Sequence, residues 1–241
     1  TDATLVQSPI SHISGMLNGV LVPGVAGMRH VLVDRWNANA ALRLICDEGV
    51  SFMVGPPTVF LSLMDAPDFS KGMVDTLRVV SCGATGITPE FVEHASALLG
   101  AEVKRSYGCT EAPTVTTSAA GDPAGRRAAT DGRPLGDTEI RIVEPASGDE
   151  VEPGVAGGVL VRGPELFAGY ALAGQTDAAL VDGWFRTGDL GRVDAEGWLT
   201  LVGRLKDVII RGGENVVPAE VERVLEQHRS VRQAVVVGVP D

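Results

Sequence analysis

The sequence predicts an α/β fold: a mainly parallel sheet layer with helices, followed by an antiparallel β-barrel-like subdomain and the start of a small α+β C-terminal domain. Two observations carry that prediction. Through the first half, short Val-rich runs alternate with longer amphipathic ones; beyond Gly132 the runs stay short and are separated by Gly, Pro and Asp turn residues. The expected divisions are 1–130, 131–205 and 206–241, the last being a hinge and the start of a small domain.

In chain order, "HVLVD" precedes "NANAALRLICDEG", "SFMVG" precedes "PTVFLSLMD", "LRVVSCG" precedes "TPEFVEHASALLG", and "AEVKRSY" follows. Continuous apolar strands followed by helices imply a parallel sheet covered on both faces, with ligands beyond the carboxyl ends of its strands. Upstream, Ala3 to Met28 contains no formally charged residue but is broken by Pro9, Pro23 and four glycines. It is too interrupted for a membrane span and has no basic leader before it, so a buried helix near Ile13 to Leu21 is expected. After Pro113, "TVTTSAAGDPAGRRAAT" reads as a loop too long to be a mere connector, lying over a surface or an opening. "TEIRIVEP", "SGDEVEPG", "GGVLVRGP", "DLGRVD" and "WLTLVGR" then read as short antiparallel strands. Near the end, "PAEVERVLEQH" starts a helix at Pro218, and "VRQAVVVGVP" reads as a further strand.

Composition bounds function. The 241 residues carry 31 acidic against 20 basic side chains, a net charge of −11, which argues against a nucleic-acid partner. Cys46, Cys82 and Cys109 are odd in number and widely spaced, so neither a disulfide framework nor a zinc site is expected, and a reducing cytoplasm fits. Only Lys71, Lys104 and Lys206 are lysines, which makes the Lys206-Asp207 pair in "GRLKDVIIRGGENV" conspicuous.

Several short stretches admit both a chemical and a purely structural reading. In "YGCTEA", Thr110 and Glu111 could face a phosphate and its magnesium ion, or cap a short helix. In "WFRTGDLG", Asp189 could accept hydrogen bonds from a ribose diol, or form an Asx turn before a strand. In "SCGATG", Gly83 and Gly86 could admit a flat ring, or make a strand-to-helix turn capped by Thr88. His12 in "SPISHISG" could be functional or a satisfied core histidine, and the cysteines read as inert packing residues.

Taken together, in this order and at these spacings, "SPISHISG", "SCGATG", "YGCTEA", "GRP", "GWFRTGDLG" and "GRLKDVIIRGGENVVPAEVE" resemble the signature motifs of the AMP-forming adenylating enzymes: acyl-CoA synthetases, peptide-synthetase adenylation domains and beetle luciferase. The resemblance implies an acid-thiol ligase that uses ATP, Mg²⁺ and CoA, with a fatty, cyclic or aromatic acid as substrate. It implies that Gly83 and Ala84 line the adenine and acyl pocket, that Tyr107 and Gly108 adjoin the adenine, and that Thr110 meets phosphate. Glu111 would hold the metal, Asp189 and Arg204 the ribose, and His12 would gate the acyl pocket. Lys206 and Asp207 would be the hinge of a rotating C-terminal domain, and Gly212, Gly213 and Glu214 would line the channel for the thiol. A homodimer is compatible with this reading. The alternatives are an adenylation domain loading a carrier-protein thiol and a non-catalytic nucleotide-binding module. No stretch matches the phosphate loop expected before "SPISHISG", and the late lysine of the small domain would lie beyond Asp241. This segment by itself is therefore expected not to make acyl-AMP efficiently.

Overall fold

The computed structural model describes residues 1–83, 87–172, 174–212, 214–228, 230–231 and 234–239, with the backbone alone for Glu214 and Asn215. By its internal contacts the chain divides into Thr1–Gly132 and Arg133–Asp241. The fold is mixed α/β, with a mainly parallel sheet in the first unit and an antiparallel sheet in the second.

The first unit begins with β1 (Ala3–Val6), a strand not anticipated because it lies inside the uncharged opening segment. A continuous helical segment follows: α1 (Ile13–Met16), a π-helical turn (Leu17–Leu21) and α2 (Val22–Ala26). Pro23 has no N–H for the Gly19 carbonyl and crowds it, so the preceding turn widens and the Val22 N–H reaches back to the Leu17 carbonyl. The expectation of a buried helix here is corrected. Gly15, Gly19 and Pro23 are buried, while Met16, Val20, Leu21 and Val25 are exposed. The glycines decide which face turns inward: a Cβ on Gly15 would lie 2.0 Å from the Pro9 carbonyl oxygen, and one on Gly19 would lie 3.1 Å from Val6. Only a side-chain-free face can approach the chain that closely.

Next come β2 (Arg29–Leu32), α3 (Ala38–Glu48), β3 (Phe52–Gly55), α4 (Pro57–Met64), β4 (Val79–Cys82), α5 (Pro89–Leu99) and β5 (Glu102–Tyr107). Local chemistry sets the helix ends. Asn37 accepts the Ala40 N–H and Thr88 accepts the Phe91 N–H at the N-termini, while Gly49 and Gly100 close the C-termini in the left-handed conformation. The strands run β2-β1-β3-β4-β5, all parallel, and β6 (Thr116–Thr117) adds antiparallel to β5. Leu42, Ile45, Met53, Phe60, Leu63 and Val80 are fully buried between sheet and helices. Edge strand β2 is mostly exposed, contrary to the expectation that every strand is covered on both faces. The stretch after Pro113 is also more ordered than a loop: it forms β6 and α6 (Ala124–Ala129), and α6 packs on α5 and β5.

The second unit contains β7 (Arg133–Pro134), β8 (Glu139–Val143), β9 (Gly157–Arg162), α7 (Gln175–Ala179), β10 (Leu180–Val181), β11 (Trp184–Val193) and β12 (Leu199–Arg204). The antiparallel order is β10-β11-β9-β8, with β12 also on β11. "DLGRVD" is the second half of the long β11 rather than a separate strand, and "SGDEVEPG" contributes only a single bridge from Glu150 to Val143. Two guanidinium groups lie over the buried Trp184 ring, Arg141 at 4.4 Å and Arg162 at 4.5 Å, and Arg162 donates two hydrogen bonds to the Glu139 carboxylate. After a 3-10 turn (Leu205–Asp207), β13 (Ile209–Arg211) and β14 (Glu214–Val216) form a hairpin, and α8 (Pro218–Glu226) starts at Pro218. Among the described residues of "VRQAVVVGVP" no strand forms, and Val235, Val237 and Val239 are exposed.

Candidate functional site

Because β1, β3, β4 and β5 are parallel, their carboxyl ends lie on one edge of the sheet. The order 2-1-3-4-5 reverses between β1 and β3, the arrangement that opens a crevice at that edge. Three of the singled-out stretches leave strands there: "SPISHISG" after β1, "SCGATG" after β4 and "YGCTEA" after β5.

His12 is exposed, and its Nδ1 accepts the Ser14 N–H at 3.1 Å as the N-cap of α1. It is not a core histidine: the tight turn from Pro9 places it ahead of the first helical residue, where a side-chain acceptor satisfies an otherwise unpaired N–H. Gly83 follows β4 directly, and a Cβ there would meet nothing closer than the Ser106 hydroxyl oxygen at 3.6 Å. Among the described residues, nothing therefore requires glycine at 83. Ala84 lies outside the described residues.

The turn after β5 is the best-defined part of the edge. Tyr107 is buried, Gly108 and Thr110 are exposed, and Glu111 is half-buried. The Cys109 N–H donates to the Ala112 carbonyl at 2.9 Å, and the Val115 N–H donates to the Tyr107 carbonyl at 2.8 Å. Thr110 does not cap a helix, since residues 108–115 form bends and open turns. The hydrogen bond closing 109 to 112 bends the chain before a helical turn can form. Gly108 is required by that closure, because a Cβ there would lie 2.2 Å from the Pro113 carbonyl oxygen. Burial, with a smaller contribution from the Glu111 carboxylate, pushes the Cys109 thiol up to about 11, and burial pushes Cys82 up to about 12. A thiol held protonated is a poor nucleophile, which is in keeping with a packing role for Cys82 and Cys109, whereas Cys46 is exposed.

Magnesium takes one or two carboxylates and completes its shell with phosphate oxygens and water. The half-buried Glu111 carboxylate at the end of a parallel strand is a donor of that kind. Among the described residues no three His, Cys, Asp or Glu side chains converge on a point, so a metal held entirely by protein ligands has no candidate site there.

In the second unit, Asp189 and Arg204 are opposite each other on β11 and β12, and Arg204 Nε lies 3.1 Å from Asp189 Oδ1. Two residues named as ribose ligands are thus adjacent. Asp189 is buried inside β11 and does not start an Asx turn. The local turn is made by Thr187, whose hydroxyl accepts the Asp189 N–H at 3.0 Å and donates to the Val159 carbonyl at 2.9 Å, with Gly188 left-handed between them. Lys206 and Asp207 are exposed in the 3-10 turn after β12. Gly212, at φ +60°, turns the chain between β13 and β14, Glu214 begins β14, and Gly213 lies outside the described residues.

One buried group was not singled out from the sequence. Arg105 on β5 makes a two-point ion pair with Asp131, with Nε to Oδ1 at 3.0 Å and Nη2 to Oδ2 at 3.0 Å. Its sequence signal is weak: an arginine between apolar residues of a predicted strand, and an aspartate directly before "GRP".

A parallel sheet of order 2-1-3-4-5 with small-residue turns on its carboxyl edge is thus joined in sequence to an antiparallel unit in which the buried Asp189 pairs with the half-exposed Arg204. A family-wide sequence profile described as AMP-binding enzyme matches residues 1–171. The chain belongs to that family. The medium-chain fatty-acid–CoA ligase of Escherichia coli is 34% identical over 242 residues, covering 100% of this chain and 42% of that protein. Among solved structures, ATP-bound MatB from Rhodopseudomonas palustris superposes with a TM-score of 0.92 at 28% identity, covering 99% of this chain and 47% of the other. The o-succinylbenzoate coenzyme A synthetase MenE from Bacillus subtilis, in complex with ATP and magnesium, gives 0.86 at 32% identity, covering 100% and 49%. The chain thus spans less than half the length of the curated relatives it matches.

Proposed function

We propose that the full-length protein is an AMP-forming carboxylic acid:CoA ligase. It would activate a carboxylate on the α-phosphate of ATP, releasing pyrophosphate, and pass the acyl group from acyl-AMP to the CoA thiol. The observation that carries this reading is the closed turn Tyr107–Glu111 at the carboxyl end of β5, on which Thr110 and Glu111 are consecutive residues. The names of the relatives support it, since they are acyl-CoA or carboxylate–CoA ligases.

In this proposal Tyr107 and Gly108 border the adenine, Thr110 binds phosphate, and Glu111 holds Mg²⁺, which when bound offsets charge developing on the phosphates. Gly83, with Ala84, leaves room for the base and the acyl group. Asp189 accepts from the ribose hydroxyls, with Arg204 orienting its carboxylate, and His12 borders the acyl group. The exposed turn at Lys206 and Asp207 absorbs the backbone rotation of a hinge. Gly212, Gly213 and Glu214 approach the thiol. A fatty, cyclic or aromatic acid suits the uncharged segment from Ala3 to Met28.

The test is pyrophosphate release by the full-length protein with ATP, Mg²⁺ and a panel of carboxylic acids, with and without CoA. Acid-dependent release with acyl-CoA as product is the expected result. No release with any acid would overturn the ligase reading, and faster transfer to a holo-carrier protein than to CoA would replace the acceptor.

A further inference from the structure

The ion pair between Arg105 and Asp131 is nearly sealed from water: the side chains are 11% and 5% exposed. Removing two charges from water costs about as much as their attraction returns, so such a pair adds little net stability compared with apolar residues of the same size. What it does supply is geometry, because a guanidinium bound at two points fixes both direction and distance.

The elements it joins are those that frame the Tyr107–Glu111 turn. Val103, Arg105 and Tyr107 alternate as the buried residues of β5, so Arg105 lies on the same strand face as Tyr107. Thr116, the β6 partner of Tyr107, donates its hydroxyl to the Asp131 carbonyl at 2.6 Å. Thr117 donates its hydroxyl to the Arg105 carbonyl at 3.3 Å. Gly132 is pressed against Thr117 so closely that a Cβ would lie 2.2 Å from the Thr117 carbonyl carbon. Three chain segments, β5, β6 and residues 130–132, are therefore tied in a closed circuit around the base of the turn.

We propose that Arg105 and Asp131 are positioning residues: their buried ion pair, closed through Thr116, sets the placement of the Tyr107–Glu111 turn and thereby the affinity for the nucleotide. This rests on the ligase reading above. Arg105 and Asp131 themselves touch neither substrate nor metal in this role.

The test compares the full-length wild type with the Arg105→Met/Asp131→Leu double variant and with Arg105→Lys, by thermal unfolding and by the kinetics of acid-dependent pyrophosphate release. The double variant should keep a Tm close to the wild type while KM for ATP rises about tenfold, as a shift of the turn by a fraction of an ångström would produce. KM for the acid should stay within about twofold, because the perturbed turn is assigned to the nucleotide. Arg105→Lys, which keeps the charge but not the two-point geometry, should recover only part of the ATP affinity. An unchanged KM for ATP in a folded double variant, or full recovery by lysine, overturns the proposal. Should the double variant fail to fold, Thr116→Val decides by the same readouts: raised KM for ATP at nearly unchanged Tm supports the clamp, and unchanged KM refutes it. A wild type that releases no pyrophosphate with any acid removes the ligase reading instead, whereas an active wild type with insensitive variants removes the clamp alone.

Discussion

Gly108→Ala perturbs the candidate site through one added methyl group, and the structure sets its cost. The new Cβ would lie 2.2 Å from the Pro113 carbonyl oxygen, 2.7 Å from its carbon and 3.0 Å from the Ala112 oxygen. All three are backbone atoms, so no side chain can rotate away and the turn itself must open. Such forced overpacking costs about 1–3 kcal/mol. If the turn opens enough to break the bond from the Cys109 N–H to the Ala112 carbonyl, a further 1 kcal/mol or so is lost. Urea denaturation of the full-length protein should therefore show a loss of about 2–4 kcal/mol if both effects act in the same unfolding unit. KM for ATP should rise as Thr110 and Glu111 move. Gly72→Ala is the control, since a Cβ there meets nothing within 4 Å, and it should change stability by no more than about 0.5 kcal/mol. A Gly108→Ala variant as stable as Gly72→Ala, with wild-type KM for ATP, would refute the view that closure of this turn builds the site.

Three further outcomes are expected. Asp189→Asn should leave stability within about 1 kcal/mol, because Arg204 is half-exposed in its pair with Asp189, yet should raise KM for ATP; an unchanged KM would remove the ribose assignment. Asp207→Pro in the 3-10 turn should slow thioester formation far more than acyl-AMP formation, measured in separate single-turnover assays, and equal slowing would count against the hinge. Burial holds the folded Cys82 thiol at about 12 against an ordinary 9.0, so above pH 9 the unfolded chain loses a proton that the folded chain keeps. Its contribution to stability is fully present below pH 9 and falls by about 1.4 kcal/mol per pH unit from there towards the folded value. Cys82→Ala should flatten that alkaline limb in denaturant titrations, and an unaltered limb would show that burial of this thiol does not govern it.

Much of the fold was legible in the sequence because its signals are local. Asn37, Gly49, Thr88 and Gly100 bound their helices through atoms a few residues away, and the Val-rich runs preceding those helices became β2 and β4. The order and spacing of the motifs around Tyr107, Asp189 and Lys206 were legible for the same reason, and so was the family. What the sequence hid depends on distant partners. The uncharged opening segment concealed β1, and its apolar composition suggested a buried helix until Gly15 and Gly19 proved to be the face turned inward. Thr110 lost its expected helix to a bond between Cys109 and Ala112, and Asp189 became the middle of a long strand facing Arg204. Arg105 and Asp131 are 26 positions apart, with no local pattern linking them. Sequence by itself thus determined which residues are candidates for chemistry and, for those after β1, β4 and β5, at which strand ends they stand, since periodicity and capping act over a few residues. Only the tertiary structure decided which of them meet, because a two-point ion pair or a missing Cβ exerts its effect once separate segments have packed together.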